Sequence, residues 1–560
     1  MLASAAVAAK LGALMPIIAL LPSALGWVFL GCALVYGAQL AKTPVERFAP
    51  WGWWLLLGGA LLGFRWPLIQ LPYELYPDES QLLAGAITLR HDPMFWRSVD
   101  GGTAGPLDYY ALMPAAVFQG ETAFAVTRLI AAGLIWGGLV AAGETIVLLT
   151  GCALARIAAL PAFLFVTFTT SPEFIHYSSE LVSTLLLALA LLAMARREIR
   201  PTGRNLWAAA LLLGSVPWAK LQAVPIATGL GLLLVIREFV SGRRAGTLLP
   251  IAAACVPTLF FLLLLVATNQ TEHMVIPYIL QNLLYVETGR LTSGQVSVQL
   301  WTQAVTGSYL AAWLAGGAAF VALAAWNLRR APVRLRWLAL GAAALLGSVI
   351  VCAFTPGRPY PHYLHLVEVP LTLLPGLLLA AAWTRSTGAA RWTLAFFAGC
   401  SVLPPLGLKL SARTDPYAAY NMEYAAPNPA RRALVAQVKA FARPGESLGL
   451  WGWRSGLYVH TGLYQATCQA HTESVVAAGP YHLYYIHRYL EKLIENSPPV
   501  FVDAVGPGNF RFTDRAFGHE ILPFLGKWIG ENYTLVADLD GCRVYVRRDR
   551  LPATVAPAVP

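Results

Sequence analysis

Carboxylates are scarce in this chain, 29 Asp and Glu among 560 residues. In Tyr73-Glu74-Leu75-Tyr76-Pro77-Asp78-Glu79-Ser80-Gln81 an acidic pair follows a proline just after a long apolar run. Proline fixes the local backbone. A carboxylate held at a membrane edge is partly desolvated, which suits it to act as a general base or a metal ligand. The same pair can instead open a helix over 79–89, with Asp78 as its N-cap. Asp78 and Glu79 are the candidate catalytic pair, and both roles stay open. The segment continues as Asp100-Gly101-Gly102-Thr103-Ala104-Gly105-Pro106-Leu107-Asp108-Tyr109-Tyr110. Its glycines let backbone approach a ligand closely, and Tyr109 and Tyr110 offer flat faces to a ring. A plain flexible loop re-entering the membrane would read the same way.

Other polar segments hold further candidates. Glu173, His176 and Glu180 cluster in 171–180, where Glu180 could bind hydroxyls or a metal and Glu173 reads as a membrane-edge cap. Lys220 lies between apolar stretches with no acid nearby in sequence. An intramembrane lysine marks a functional site by default, with a lipid phosphate as its natural partner or snorkelling as the bland alternative. In 355–369, Arg358, His362 and His365 form a cationic cluster. Two histidines are too few to define zinc, whereas an arginine fork suits phosphate. The polar stretch 269–303 reads as a lid. The acids leave room for a divalent cation, but no metal-ligand spacing defines one, so no cofactor is assigned. Walker A, Rossmann, HExxH and CxxC patterns do not occur, which argues against a nucleotide-linked donor.

The elements that must position these residues are membrane helices. The chain is 57% hydrophobic and 12% charged, about half the usual charged share. Its net charge of +11 sits in short clusters between apolar runs, which excludes a nucleic-acid face and fits the positive-inside rule. Spans are expected near 51–69, 123–149, 155–170, 181–195, 206–219, 223–236, 247–268, 304–326, 337–354, 369–383 and 392–410. One or two more lie in the first 40 residues, giving 12–13 transmembrane helices. Several are short, so kinks are expected near Pro217 and Pro225. Lys42/Arg47, Arg156, Arg196/Arg197/Arg200/Arg204, Arg237/Arg243/Arg244, Arg329/Arg330/Arg334/Arg336 and Arg385/Arg391 then share the cytoplasmic side.

The chain thus reads as an α-helical polytopic membrane protein. A transmembrane domain spans 1–410, with its first large extracytoplasmic loop at 70–108, and a soluble α/β domain spans 411–560. In the latter, 447–453 and 499–505 read as strands, 484–495 as an amphipathic helix, and 533–538 with 542–547 as a hairpin around Asp540-Gly541. Cys468 and Cys542 are its two cysteines, and an oxidising compartment permits a disulfide between them.

The acidic pair, the following Gly-rich stretch and Pro106-Leu107-x-Tyr109-Tyr110 resemble the GT-C superfamily of integral membrane glycosyltransferases, nearest the protein O-mannosyltransferase and lipid A aminoarabinose transferase group. This chain has Ala104-Gly105-Pro106-Leu107 where aminoarabinose transferases have Lys-Pro-Pro-Leu, and it lacks the β-trefoil insertion of eukaryotic protein mannosyltransferases. The resemblance implies transfer of a sugar from a polyprenyl-phosphate donor to an acceptor hydroxyl of a glycan, lipid or protein, with inversion and Asp78 as base. The residues expected to bind substrate in such a reaction are Glu180, Lys220, Arg358, His362, His365, Tyr109 and Tyr110, among membrane lipids and without nucleic acid. The composition suggests a bacterial inner membrane, with site and C-terminal domain in the periplasm. The rival readings are a transporter or flippase of a lipid-linked or anionic solute, which needs paired charges buried mid-span, and a non-catalytic assembly protein.

Overall fold

The computed structural model describes residues 21–37, 39, 50–242, 248–288, 291–306, 308–411 and 428–551. Among these, seven helices are long and apolar enough to cross a membrane: Gly120–Thr150, Leu221–Val240, Leu248–Ala267, Tyr309–Arg330, Val333–Phe354, Pro361–Trp383 and Thr387–Ser411. The shorter apolar rods Leu21–Gly37 and Ala153–Phe168 join them, as do Pro50–Ile69, Glu180–Ile199 and Gly203–Ser215. Every span expected from residue 51 onward has its helix. A span within the first 20 residues, and the cations Lys42, Arg47, Arg243 and Arg244, lie outside the described residues.

Burial separates lipid-facing helices from the centre. Pro361–Trp383 is 94% buried along its apolar window, whereas Leu248–Ala267 is 22% buried. The first carries His362, His365 and Glu368 at its head, so polar chemistry enters the bundle on its innermost rod. The second turns Phe260, Leu263 and Val266 outward, as a helix solvated by lipid does. Gly120–Thr150 has 31 residues, about 46 Å of helix, more than the ~30 Å hydrocarbon core needs. Its first turns therefore stand clear of the core and bring Arg128 level with the first loop.

The expected kink is a full break. Helix Gly203–Ser215 ends in a 3-10 turn Val216–Trp218, another turn runs Leu221–Ala223, and Lys220 between them is extended (φ −146°, ψ 118°). Pro217 and Pro225 cannot donate to a helix ladder. Freed carbonyls find partners elsewhere: the amide of Gly105 donates to Ala219 O (2.7 Å) and Tyr278 Oη to Pro217 O (2.6 Å). A Cβ at Gly105 would stand 2.3 Å from Trp218 O, so glycine is what lets the first loop dock beside Lys220.

The stretch 269–303 is helical, not a loop: Thr271–Met274 runs through a π turn Val275–Leu280 into Gln281–Glu287, and Ser293–Thr306 follows. It docks by Asn282 Nδ2 on Gly102 O (3.2 Å) and by a bond between His273 and Tyr484 Oη (2.9 Å).

Residues 428–551 form a five-stranded sheet in the order β2-β1-β3-β5-β4. The strands are β1 Ser447–Gly452, β2 Tyr464–Gln465, β3 Val500–Ala504, β4 Tyr533–Leu539 and β5 Cys542–Arg547. β1 pairs in parallel with β2 and β3, while β5 runs antiparallel between β3 and β4. β1 and β3 are buried throughout, as central strands covered on both faces must be. Asp540 and Gly541 both have positive φ (52° and 73°) and close the β4–β5 hairpin in two residues. Helices Pro429–Phe441 and Gly456–Thr461 cover one face, His482–Asn496 and Pro523–Asn532 the other. Cys468 and Cys542 are both free.

Candidate active site

The site grows from helix Pro77–Leu89. Pro77 occupies its first turn and Tyr76, extended at φ −151°, is the N-cap residue, with no side-chain capping bond. Asp78 therefore does not cap the helix; it sits in the first turn, where the helix dipole favours an anion. Its side chain is half-buried. Burial raises its carboxyl above the usual aspartate range, while His362 and Lys220 pull it back. That is the electrostatic profile of a base kept near its task.

Glu79 is differently placed. It is fully buried and holds Arg128 in a two-pronged pair at 2.9 Å, and accepts the amide of Leu75. Arg128 also donates to the carbonyls of Leu68, Ile69, Leu71 and Tyr73. Glu79 thus braces the turn that presents Asp78.

Around Asp78 stands a cage of rings. Tyr76 stacks on His176 (5.0 Å, 23°), and His362 stacks on Tyr360 (5.5 Å, 8°). Glu173 does not cap the membrane edge; its carboxylate meets His362 Nδ1 at 2.5 Å. His176 Nδ1 lies 2.7 Å from Pro172 O, and a carbonyl only accepts, so Nδ1 carries the proton. Burial also lowers the histidine's pKa. Its Nε2 is then a lone pair, buried and without a hydrogen-bond partner among the described residues.

Lys220 has an acid partner after all: Nζ sits 2.9 Å from Glu180 Oε1 and 2.5 Å from Ser179 Oγ, below the Tyr363 ring at 5.9 Å. Glu180 Oε2 keeps no hydrogen bond. Arg358 is the freer cation. It lies 4.8 Å above the Tyr285 ring, with one long bond to Thr288 O (3.5 Å), and no acid pairs with it among the described residues. Tyr285 and Tyr363 hydroxyls meet at 3.3 Å, linking the two cations along one wall.

Three expected residues are not brought into this cage. His365 is fully buried behind it, bonded to Glu368 at 2.7 Å and set against the edge of Phe174. Tyr109 is buried on Phe95 (5.0 Å), its ring pressed over Gly85, so it has no open face for a sugar. Tyr110 reaches outward to Pro93 O (2.7 Å).

Asp108 was missed as a candidate. It is fully buried, and neither carboxylate oxygen has a hydrogen-bond partner among the described residues. Tyr177 Oη holds its backbone carbonyl (2.8 Å). Burial pushes its carboxyl well above the ordinary value, with Lys220 and Glu180 the nearest charges. The one sequence signal was an acid in a short apolar turn with no cation nearby.

Among the described residues, one trio brings metal-type ligand atoms within 4.8 Å: Asp503, His519 and Glu520, in the sheet unit. Arg543 is already inserted there, paired with both Asp503 and Glu520. A guanidinium meets the charge that a cation would, so the trio does not fit a metal without displacing Arg543.

No family model matches the chain, and no curated protein matches it. Solved structures similar to the chain include the following two. ArnT from Cupriavidus metallidurans in the apo state shows 17% identity over 89% of this chain and 98% of that one, with TM-score 0.42. The Archaeoglobus fulgidus oligosaccharyltransferase, solved with Zn and sulfate, shows 13% identity over 90% and 74%, also with TM-score 0.42.

Proposed function

We propose that this protein transfers a sugar from a polyprenyl-phosphate donor to an acceptor hydroxyl at the extracytoplasmic face of the membrane, with inversion. The observation that carries the reading is Asp78: a raised, half-buried carboxylate at the end of a rigidly braced turn, ringed by imidazoles and aromatics beside two cations. In a single displacement the acceptor oxygen attacks the anomeric carbon as the carbon–phosphate-oxygen bond breaks. Asp78 takes the hydroxyl proton, and polyprenyl phosphate leaves as an anion. Arg358 presents its guanidinium to that phosphate, with Lys220 adding a less available positive charge along the Tyr285–Tyr363 wall. Glu180 holds Lys220 and keeps one oxygen for a sugar hydroxyl, while His362 sets the field at Asp78. The cationic helix ends lie opposite this cage, which supports an extracytoplasmic site in a bacterial inner membrane. No step is routed through a metal.

The test is Asp78→Asn, which keeps the shape but cannot accept the proton. Transfer of radiolabelled sugar from a polyprenyl phosphate should slow at least ~100-fold with donor binding retained. Transfer at the wild-type rate would remove Asp78 from the chemistry. A transporter would need paired charges in mid-span. Lys220–Glu180 lies instead where helices begin and break, and Arg197–Glu238 where they end.

A further inference from the structure

In the sheet unit the chain leaves β1 toward helix Gly456–Thr461 on one face, and leaves β3 toward the helices of the other. Between two such diverging loops an open sheet has a crevice at the carboxyl ends of its parallel strands, the place where these sheets take ligands. Here the loops are Trp453-Arg454-Ser455 after β1 and Val505-Gly506-Pro507-Gly508-Asn509-Phe510-Arg511 after β3. Gly506 and Gly508 have positive φ (157° and 85°), and so does Arg511 (60°), a conformation that a non-glycine residue adopts at a cost.

We infer that this crevice binds a sugar ring of the acceptor, which would make that acceptor a glycan; the inference rests on the glycosyl-transfer reading above. Trp453 stacks on His471 (3.7 Å, 8°) and meets Phe510 edge-on (5.0 Å). Phe510 is 40% exposed, an aromatic surface at a polar rim. Arg511 lies 5.5 Å from the Trp453 ring and 5.6 Å from that of Phe510, paired with Glu473. The pair supplies donors and an acceptor with no net charge, which matches hydroxyls better than a phosphate. The indole N–H of Trp453 is buried without a hydrogen-bond partner, a donor that a hydroxyl oxygen would satisfy. The loop after β1 lies beside the segment that leads to Asp78: a Cβ at Gly456 would stand 3.1 Å from Glu74 Oε2.

The full chain in nanodiscs can be tested by surface plasmon resonance against neutral glucan, mannan and galactan tetrasaccharides, with a serine-threonine peptide as control. At least one tetrasaccharide should bind and the peptide should not. Phe510→Ala and Arg511→Ala should each weaken that binding about 10-fold, and Asp78→Asn should leave it unchanged. Absence of tetrasaccharide binding, binding of the peptide instead, or glycan binding that survives both substitutions would overturn the inference. If glycans bind as expected while Asp78→Asn still transfers sugar normally, the crevice stands and the catalytic assignment falls.

Discussion

Lys220 and Asp108 are two buried charges with opposite consequences. Lys220 is 4% exposed and its partner Glu180 is fully buried. Removing one member of such a pair strands the other, at a cost of about 3–5 kcal/mol. Lys220→Ala should therefore lower the melting temperature markedly, and Lys220→Met with Glu180→Leu should recover most of it. A thermal scan in detergent measures both. Burial pushes the Asp108 carboxyl well above its ordinary value, so it binds its proton more tightly folded than unfolded. Its contribution to stability is full below the ordinary aspartate range and falls as pH rises toward the folded value. Asp108→Asn removes that slope. The variant should gain stability over the wild type between pH 5 and pH 8, and equal curves would show that Asp108 is ionised. Neither role was legible in sequence. The lysine and its acid stand 40 positions apart, and the isolation of Asp108 depends on which helices close over it.

At the scale of elements, more could be read. The spans came from composition alone, the break at Pro217 from proline chemistry, and the β4–β5 hairpin from Asp540-Gly541. The stretch 269–303 misled because it is cut into short helices, with His273 and Asn282 docking on neighbouring segments, and its polar residues read as a loop. Tyr109 misled because a tyrosine beside glycine looks like a platform until Gly85 is found beneath it. Gly105 makes the same point as a prediction. A methyl there meets a carbonyl of the Lys220 break, so Gly105→Ala should displace that segment. Donor KM should rise several-fold, whereas Gly203→Ala, at an exposed helix start with open space around it and no positive φ, should move KM much less. Equal effects would show that the first loop does not position Lys220.

For the whole molecule, the order of helices sets the sides. Gly294 and Gly508 belong with the catalytic cage, Gly203 and Gly242 with the arginine-rich ends, and all four are exposed. Single cysteines at the first two should react with an impermeant maleimide from outside, and at the last two only after lysis. Labelling of Gly294 and Gly203 from one side would refute the layout. The two cores are likewise not independent. Ala84 of helix Pro77–Leu89 is buried in the core of the sheet unit, in one cluster with Leu434 and Leu457. Cys468 O accepts the amide of Asp100 (2.7 Å), and Gln465 donates its amide to Thr88 (3.1 Å).

That shared helix imposes an order on biogenesis. The turn bearing Asp78 emerges from the ribosome early, while the strands that bury its helix come near the end of the chain. At ~5–20 residues per second the interval is roughly 20–70 s, during which the membrane bundle can assemble but the helix lacks half of its packing. A nascent chain or one truncated before the sheet unit would therefore sit in the bilayer with the turn bearing Asp78 incompletely packed, until helix Gly456–Thr461 and β2 close on it.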